Sequence, residues 1–381
     1  MAQRGARQGP DRLKVAIEAH TVWYNEGLAN VYDALRLVRA ADAGHRLRLL
    51  ASHRRASAPA LVLADASWLE PRHISQSEYI EWCLARCREH RVDLFVPGRF
   101  RREIAAALPA FAALGTRVLL AGDARTLDLL EHKNAFYAEV AAAGIAVPAH
   151  RVFSTVPQFD AAWAELHPQY RRLCIKPAVS VFGAGFHELC GKRSDAEHFK
   201  QIMSSAPNPP LPVDAFRRAL QVAPRPRALL LMQFLPGLER SVDCLAQDGE
   251  LVAAVARRKQ SDHQVLETTG PAVDIAAALT RRLGLRGLFN VQTRDVDGTP
   301  HVLEINGRMS GGLLYACLSG VCFPYWAVML ALGLARPADV PRPRGRIAVA
   351  PVTHAVKVGR GGARRGGSQV DSYVASPPRT P

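Results

Sequence analysis

Short apolar runs alternate with amphipathic stretches over roughly the first 120 residues of the chain. The apolar runs predict strands at residues 13–17, 48–51, 93–97 and 117–120. The amphipathic stretches predict helices, notably at residues 77–89 and 101–114 and in the segment with Val31, Ala34, Leu35 and Val38 on one face. The stretch HTVWYNEG, residues 20–27, is predicted to be a polar loop. Strands that alternate with helices indicate a parallel sheet covered by helices.

A second pattern begins near residue 123. Residues 126–143 have helical periodicity and end before Gly144, residues 145–150 and 171–176 are predicted strands, and residues 204–212 are predicted to be a Pro-rich surface loop. The pattern then becomes antiparallel, with strands ALLLMQF, ERSVDCLA and LVAAVARRK, a helix over 271–283 and a hairpin over 288–308. Residues 309–335 carry no charge, but their glycines and Pro324 favour two buried helices joined by a turn over a membrane span.

The parity of the hairpin loop decides which side chains share a face of the hairpin. A three-residue loop at 297–299 pairs Gln292 with Glu304 and Asn290 with Asn306, and it leaves the apolar side chains on the other face. A two-residue loop would mix polar and apolar side chains on both faces. The first register collects oxygen ligands of the kind that Mg²⁺ bound to phosphates prefers, although a solvated strand face of ordinary polar residues has the same pattern.

Composition narrows the class of protein. With 381 residues and 48% hydrophobic content, the chain can bury cores in two or three domains. Of its net charge of +15, seven charges lie in residues 1–14 and 355–381, which argues against a nucleic-acid-binding surface on the folded part. Only seven of the 49 basic residues are lysines, so each lysine is informative. Seven cysteines without CxxC spacing and no signal peptide predict buried thiols in the cytoplasm.

The segment VLEINGRMSGG resembles the Glu-x-Asn-x-Arg signature on the last strand of the ATP-grasp superfamily. The resemblance spans roughly residues 126–335. It implies that Glu304 and Asn306 hold Mg²⁺ between nucleotide phosphates, and that Arg308 lies near the γ-phosphate. Gln292 stands where many members have an acidic metal ligand, as in carbamoyl-phosphate-synthase-like domains, so one metal site is expected to be less charged.

Two upstream segments resemble the family's lysine motifs. EHKNAFYAEVAAAGIAVPAH is similar to the segment with the first nucleotide lysine and implies that Lys133 contacts the α-phosphate; the alternative is a solvated helix residue. RLCIKPAVSVFGAGF resembles the second lysine strand and the glycine loop over the phosphates, with Lys176, Gly183 and Gly185. Strand alternation points Lys176 away from the core, and glycines let the loop backbone approach phosphates.

The segment LLMQFLPGLERSVDCL resembles the interdomain segment that holds adenine. The resemblance implies that backbone around Gln233, Phe234 and Leu235 meets the adenine edge and that Glu239 takes the ribose hydroxyls. Met232 is a candidate to line the base, and a core methionine is an equal alternative. Arg257 and Lys259 occupy the place where relatives present cations to an acyl phosphate.

The expected fold class is mixed α/β and α+β. An N-terminal parallel α/β domain (1–125) precedes a two-lobed ATP-grasp fold whose antiparallel sheets clamp the nucleotide (126–232 and 233–354), and a disordered basic tail (355–381) follows.

The resemblance implies a ligase that uses ATP and Mg²⁺ to activate a small-molecule carboxylate as an acyl phosphate, which an amine or other nucleophile captures with release of ADP and phosphate. A small-molecule kinase of the same fold and a non-catalytic nucleotide-binding or basic scaffold protein are the alternatives. We expect no nucleic-acid or membrane partner, and the sequence leaves a homodimer open.

Trimming residues 1–12 and 356–381 tests the scaffold alternative. If the folded part is an enzyme, the trimmed protein keeps its ADP-forming activity, because the tails supply only charge. A tail-driven nucleic-acid binder would instead lose its affinity and the steep salt dependence of its binding. ATPase assays and binding titrations at several salt concentrations separate the two. Tight nucleic-acid binding by the trimmed protein would contradict our view of the charge.

Overall fold

Three sheets organise the chain. The computed structural model describes residues 19–27, 30–179, 185–191, 194–203, 209–223 and 227–358. One sheet is parallel, one is mostly antiparallel and one is fully antiparallel. Within the described parts, no helix combines the length and the apolar character that crossing a bilayer requires.

The first sheet is parallel, with strand order β3-β2-β1-β4-β5. Its strands are β1 (His20–Tyr24), β2 (Leu47–His53), β3 (Ala66–Leu69), β4 (Leu94–Val96) and β5 (Arg117–Val118). Its helices are α1 (Asn30–Ala41), α2 (Ala60–Leu63), α3 (Gln76–His90), α4 (Arg101–Ala106) and α5 (Leu108–Ala112). The four predicted apolar residues of α1 are buried, which confirms the helix pattern there. The order of strands reverses between β1 and β4, so the connections that follow them leave in opposite directions.

The predicted start of this sheet was wrong. Residues 20–24, expected within a polar loop, form the central strand β1, whereas the predicted strand at 13–17 lies outside the described residues. Val22 and Trp23 are fully buried between the two helix layers. The flanking polar residues hid a run of β-branched and aromatic side chains that suits a strand buried on both faces.

The second sheet has the order β6-β10-β7-β8-β9. Its strands are β6 (His150–Phe153), β7 (Leu173–Pro177), β8 (His187–Cys190), β9 (Leu211–Pro212) and β10 (Leu229–Gln233). The helices before and around it are α6 (Ala124–Glu131), α7 (Lys133–Ala142), α8 (Val156–Leu166), α9 (Asp195–Ile202) and α10 (Val213–Gln221). The single helix predicted over 126–143 is therefore two helices that meet at His132. The strand predicted at 145–150 begins only at its last residue, beyond Pro148, which cannot donate a ladder hydrogen bond.

The third sheet has the order β15-β14-β11-β12-β13-β16 and is antiparallel throughout. Its strands are β11 (Glu239–Gln247), β12 (Glu250–Lys259), β13 (Gln264–Glu267), β14 (Gly287–Val296), β15 (Thr299–Asn306) and β16 (Ile347–Val349). The accompanying helices are α11 (Pro271–Leu283), α12 (Leu313–Cys317), α13 (Phe323–Ala331) and a 3₁₀ turn (Pro337–Asp339). The β11–β12 pair and helix α11 confirm the sequence pattern, whereas β10 joins the second sheet instead of pairing with β11.

The charge-free segment after β15 joins two of the sheets. It forms α12 and α13, as predicted. Val328 and Leu332 pack into the core of the parallel sheet, whereas Leu313 and Phe323 pack into the core of the third sheet. The apolar run therefore connects two cores.

The β14–β15 hairpin combines a correct register with an incorrect loop. Asn290 pairs with Asn306 and Gln292 with Glu304, as predicted. The loop, however, has two residues, Asp297 and Gly298, both at positive φ, and the ladder shifts after Gln292 because Leu303 is an extra residue on β15. The bulge restores the parity that a three-residue loop would have given.

The turn offers a test of backbone strain. Gly298 (φ +79°) and Gly191 both have open space where a Cβ would lie, but only Gly298 is in the left-handed region. We expect Gly298→Ala to lower the free energy of unfolding by about 1–2 kcal/mol. The control, Gly191→Ala, should change it little. Denaturant unfolding measures both, and equal stability of the two variants would argue against strain at the turn.

Candidate active site

Four polar side chains lie together at the end of the β14–β15 hairpin and form what we call the polar row: Gln292, Glu304, Asn306 and Arg308. Asn306 Nδ2 donates to Glu304 Oε1 at 3.0 Å, and Arg308 Nη2 donates to Asn306 Oδ1 at 3.1 Å. Gln292 lies beside Glu304 in the ladder. These side chains are half-buried.

Two lysines from other elements converge on this row. Lys133, the first residue of α7, is buried and places its Nζ 3.5 Å from Glu304 Oε2. Lys176 on β7 donates from its Nζ to Tyr137 Oη at 3.1 Å, and Tyr137 donates to the carbonyl oxygen of Leu303 at 2.8 Å. The bulge residue thus supplies the acceptor through which Tyr137 positions Lys176. The structure places both predicted lysines beside the predicted polar surface.

The electrostatics of the cluster follow from burial. Burial lowers the pKa of Lys133; the nearby Glu304 carboxylate raises it and the Lys176 charge lowers it further. Burial likewise lowers the pKa of Lys176, against the opposing effect of Glu304. Burial and the charge of Arg101 lower the pKa of Arg308 to about 10. Three cations share one neighbouring carboxylate, an arrangement suited to a polyanion.

The donor set fits Mg²⁺ bound to phosphates. Glu304, Asn306 and Gln292 offer one carboxylate and two amides, all hard oxygen ligands, and Mg²⁺ is commonly held by one or two carboxylates together with substrate phosphates. No group of three or more His, Cys, Asp or Glu side chains that could hold a metal occurs in the part of the chain that the structure describes. A metal here would therefore depend on phosphate oxygens for much of its coordination.

Asn290 does not belong to the exposed patch that the sequence predicted. Its Nδ2 donates to Ser241 Oγ and Asp243 Oδ1, its Oδ1 accepts from Ser241, and it is fully buried. Alternation along the strand identified its face correctly, but the neighbouring strand β11 covers that position.

Arg257 lies inside the same buried network. It donates to Asp243 at 2.7 Å, Ser241 at 2.9 Å and Ser310 at 3.0 Å, and a Cβ at position 312 would overlap its guanidinium group. Arg257 therefore braces the loop after β15, and Gly312 is needed for that close approach. Its predicted contact with an acyl phosphate stays a prediction.

The predicted adenine segment connects the second and third sheets. Met232 and Leu235 are buried, and the backbone N–H groups of Gln233 and Phe234 donate to the carbonyls of Ala149 and Arg172. The Arg172 guanidinium lies 3.8 Å from the centre of the Phe234 ring. The segment is thus held firmly by its neighbours, and its adenine contacts stay predictions.

Glu239, the residue predicted to contact the ribose, lies next to Lys259, the residue predicted to contact an acyl phosphate. Glu239 forms ion pairs with Lys259 and, at 3.9 Å, with Arg294. Lys259 therefore lies at the end of the adenine segment in this structure.

The glycine loop is described only at its end. Gly183 lies outside the described residues. Gly185 has φ +75°, and a Cβ there would meet the Pro177 ring at 2.9 Å, so the end of the loop packs back on the end of β7.

A cleft adjoins the polar row through Arg308, between that residue and the ends of β1 and β4. Asn30 at the start of α1 bridges the two sides, since its Nδ2 donates to the carbonyls of Met309 at 3.1 Å and Ser310 at 2.8 Å. Sequence reasoning missed both Asn30 and Tyr137. The spacing of Tyr137, four residues after Lys133 on one helix, was the available signal for the latter.

The C-terminal part of the chain matches a known family. Residues 225–355 match the model described as "ATP-grasp in the biosynthetic pathway with Ter operon", and this span contains the polar row, the adenine segment and the buried Arg257 network. This part of the chain is therefore similar to ATP-grasp proteins. This finding confirms the resemblance drawn from VLEINGRMSGG.

Two curated relatives are similar to part of this chain. Human carnosine synthase 1 is 36% identical over 137 residues, which cover 31% of this chain and 16% of the relative. Carnosine synthase 1 of Gallus gallus is 36% identical over 125 residues, which cover 28% of this chain and 13% of the relative. The match thus spans less than a fifth of either relative.

Solved structures show the ATP-grasp fold over most of the chain. An N5-carboxyaminoimidazole ribonucleotide synthetase in its ADP complex aligns with a TM-score of 0.62 and 14% identity, covering 88% of this chain and 81% of that one. An L-amino acid ligase from Bacillus licheniformis aligns with a TM-score of 0.55 and 16% identity, covering 83% and 74%. These likenesses confirm the expected fold class.

Substitutions at the cluster test its role. We expect Glu304→Gln or Lys176→Ala to reduce ADP formation about 100-fold or more, because the first removes the charge of the expected metal ligand and the second removes a cation expected to contact the phosphates. The controls, Glu165→Gln and Lys200→Ala, remove exposed charges of the same type and should leave turnover near normal. Coupled ADP assays measure turnover, and thermal melts check the fold. Near-normal turnover in both cluster variants would reject the site.

Proposed function

We propose that this protein is a Mg·ATP-dependent ligase of the ATP-grasp type that activates a small-molecule carboxylate as an acyl phosphate and passes the acyl group to an amine. The observation that carries the proposal is the convergence of Lys133, Lys176 and Arg308 on Glu304 at the edge of a cleft. Attack of one anion on another is slow in water because the charges repel. Fixed cations in a water-poor site remove that repulsion.

The chain's own residues would bind and orient the nucleotide. Lys133 and Lys176 would donate to phosphate oxygens. The phosphates and Glu304 would together neutralise the charges of the two lysine ammonium groups. Tyr137 would keep Lys176 in place through its hydroxyl. Glu304, Asn306 and Gln292 would hold Mg²⁺, which when bound supplies charge neutralisation and orientation of the phosphates.

Arg308 connects the phosphate site to the cleft. In the proposed reaction a carboxylate oxygen of the acid attacks the γ-phosphorus, the bond to the bridging β–γ oxygen breaks, and ADP leaves. The neutral amine then attacks the acyl carbon, phosphate leaves and the amine nitrogen loses a proton. Arg308 would hold the carboxylate and the developing acyl phosphate, because its guanidinium lies between both compartments.

The relatives support a ligase. The curated relatives are named for the synthesis of carnosine, and one solved neighbour is named an L-amino acid ligase. We also propose the division into an N-terminal α/β domain, two ATP-grasp lobes and a basic tail, with boundaries near residues 125, 232 and 354. A cytoplasmic location is proposed because all seven cysteines are free thiols.

Product analysis tests the reaction type. We expect ADP and inorganic phosphate to accumulate only when a carboxylate and an amine are supplied together, with a coupled product visible by mass spectrometry. Reactions that lack either substrate are the controls. A stable phosphorylated small molecule as the product would reject ligation and assign the kinase activity instead.

A further inference from the structure

The cleft beside Arg308 lies at the point where the strand order of the parallel sheet reverses. Its walls come from the carboxyl ends of β1 and β4, on one side, and from residues 307–309 after β15 on the other. Ligands of open parallel sheets bind at such reversal points, since the flanking loops diverge there. Gly98 allows the two loops to close on each other, because a Cβ at this position would overlap the carbonyl oxygen of Glu26.

Three arginines follow β4, and their surroundings differ. Arg99 lies 3.5 Å from Glu70 and 3.8 Å from Glu26, so two carboxylates balance its charge. Arg102 donates at 2.8 Å to both Glu103 and Asp128 and is 41% exposed.

Arg101 is the member of this trio that lines the cleft. Its Nη1 donates to the carbonyl of Gly98 at 2.7 Å, and the carboxylate of Glu131 is 4.0 Å from its Nη2. Its buried Nε has no hydrogen-bond partner among the described residues. Arg101 therefore has an unpartnered Nε donor, and among the described residues the Glu131 and Glu103 carboxylates act on its charge without accepting a hydrogen bond from it.

The rest of the cleft lining is mostly apolar. Its larger apolar side chains are those of Tyr24, Val31, Val96, Leu119, Leu288 and Met309. Among the described residues, no Asp or Glu lines the cleft. Arg101 and Arg308 are the two cationic side chains of this lining, so two like charges face the same cleft.

We propose that Arg101 and Arg308 together bind the carboxylate of the acid substrate, and that the cleft selects small acids with an apolar body and no ammonium group. This inference rests on the proposed ligase function, which supplies the acid, and it adds the residue from the parallel-sheet domain that recognises it. Arg101 is a specificity residue of the acid subsite.

The charge balance of the cleft explains the selection. A carboxylate satisfies the free donor of Arg101 and removes the repulsion between two like charges. An α-ammonium group next to that carboxylate would add a third cation to a site whose described lining carries no carboxylate, and like charges brought together in an interface repel. The apolar walls take up the hydrocarbon part of the acid.

Two probes with the same carbon skeleton test the selection on the full-length protein. Isothermal titration calorimetry with Mg·ADP present compares 3-methylbutanoate with L-valine, which differs by its ammonium group. We expect 3-methylbutanoate to bind at least about tenfold more tightly. Equal or tighter binding of L-valine would overturn the proposed selection. This comparison uses the unmodified protein and does not depend on the folding of any variant.

Arg101→Gln tests the residue, and Arg102→Gln is its matched control on the neighbouring position. We expect Arg101→Gln to weaken binding of 3-methylbutanoate and raise the KM for the acid about tenfold or more, with kcat and Mg·ADP binding nearly unchanged. Arg101→Lys should recover part of the affinity because it keeps the charge. Arg102→Gln should behave as the unmodified protein does.

The outcomes separate this inference from the proposed function. Unchanged acid affinity in a folded Arg101→Gln variant would overturn the role of Arg101 even if ligation occurs. Since both probes are measured by binding without turnover, a protein that binds the acid through Arg101 but forms no coupled product would support the subsite and reject ligation.

Discussion

The balance between one carboxylate and two lysine ammonium groups is the interaction on which this site depends. Lys133 and Lys176 come from a helix and a strand that precede the hairpin by more than 100 residues, yet the Glu304 carboxylate opposes the lowering of the pKa that burial causes at both. Burial penalises both charges more than the Glu304 carboxylate compensates, since the pKa of each lysine is lowered. The fold maintains this imbalance through contacts around it, and a bound polyanion would correct it.

Those contacts are made by backbone geometry as much as by side chains. The bulge at Leu303 keeps Glu304 and Asn306 on the site face, and it also presents a carbonyl to Tyr137, which in turn holds Lys176. One irregularity in the hairpin therefore sets both the strand face and the position of the second lysine. On the far side, the Arg257 network holds the loop that follows the polar row.

The parallel sheet takes part in the site because it is tied to the third sheet in two ways. Asn30 hydrogen-bonds to the loop after β15, and the charge-free helices α12 and α13 pack into both cores. Arg308 lies at the junction and reaches the polar row as well as the cleft. We therefore expect Arg308 to contact both the nucleotide and the acid, and Arg101, which follows β4 of the parallel sheet, to contact the acid.

The sequence by itself determined the elements whose signal is local. Alternation of polar and apolar residues specified the pairing of Glu304 with Gln292, because a one-residue slip would expose the apolar face, and the scarcity of lysine singled out the two site lysines. Only the tertiary structure decided which predicted positions are accessible. Asn290 and Arg257 carry the right chemistry but are buried by strand β11 and by the loop at Gly312. The proposed role of Arg101 likewise depends on carboxylates, distant in sequence, that form ion pairs with Arg99 and Arg102. Ion pairs between distant residues leave no periodic pattern in the sequence.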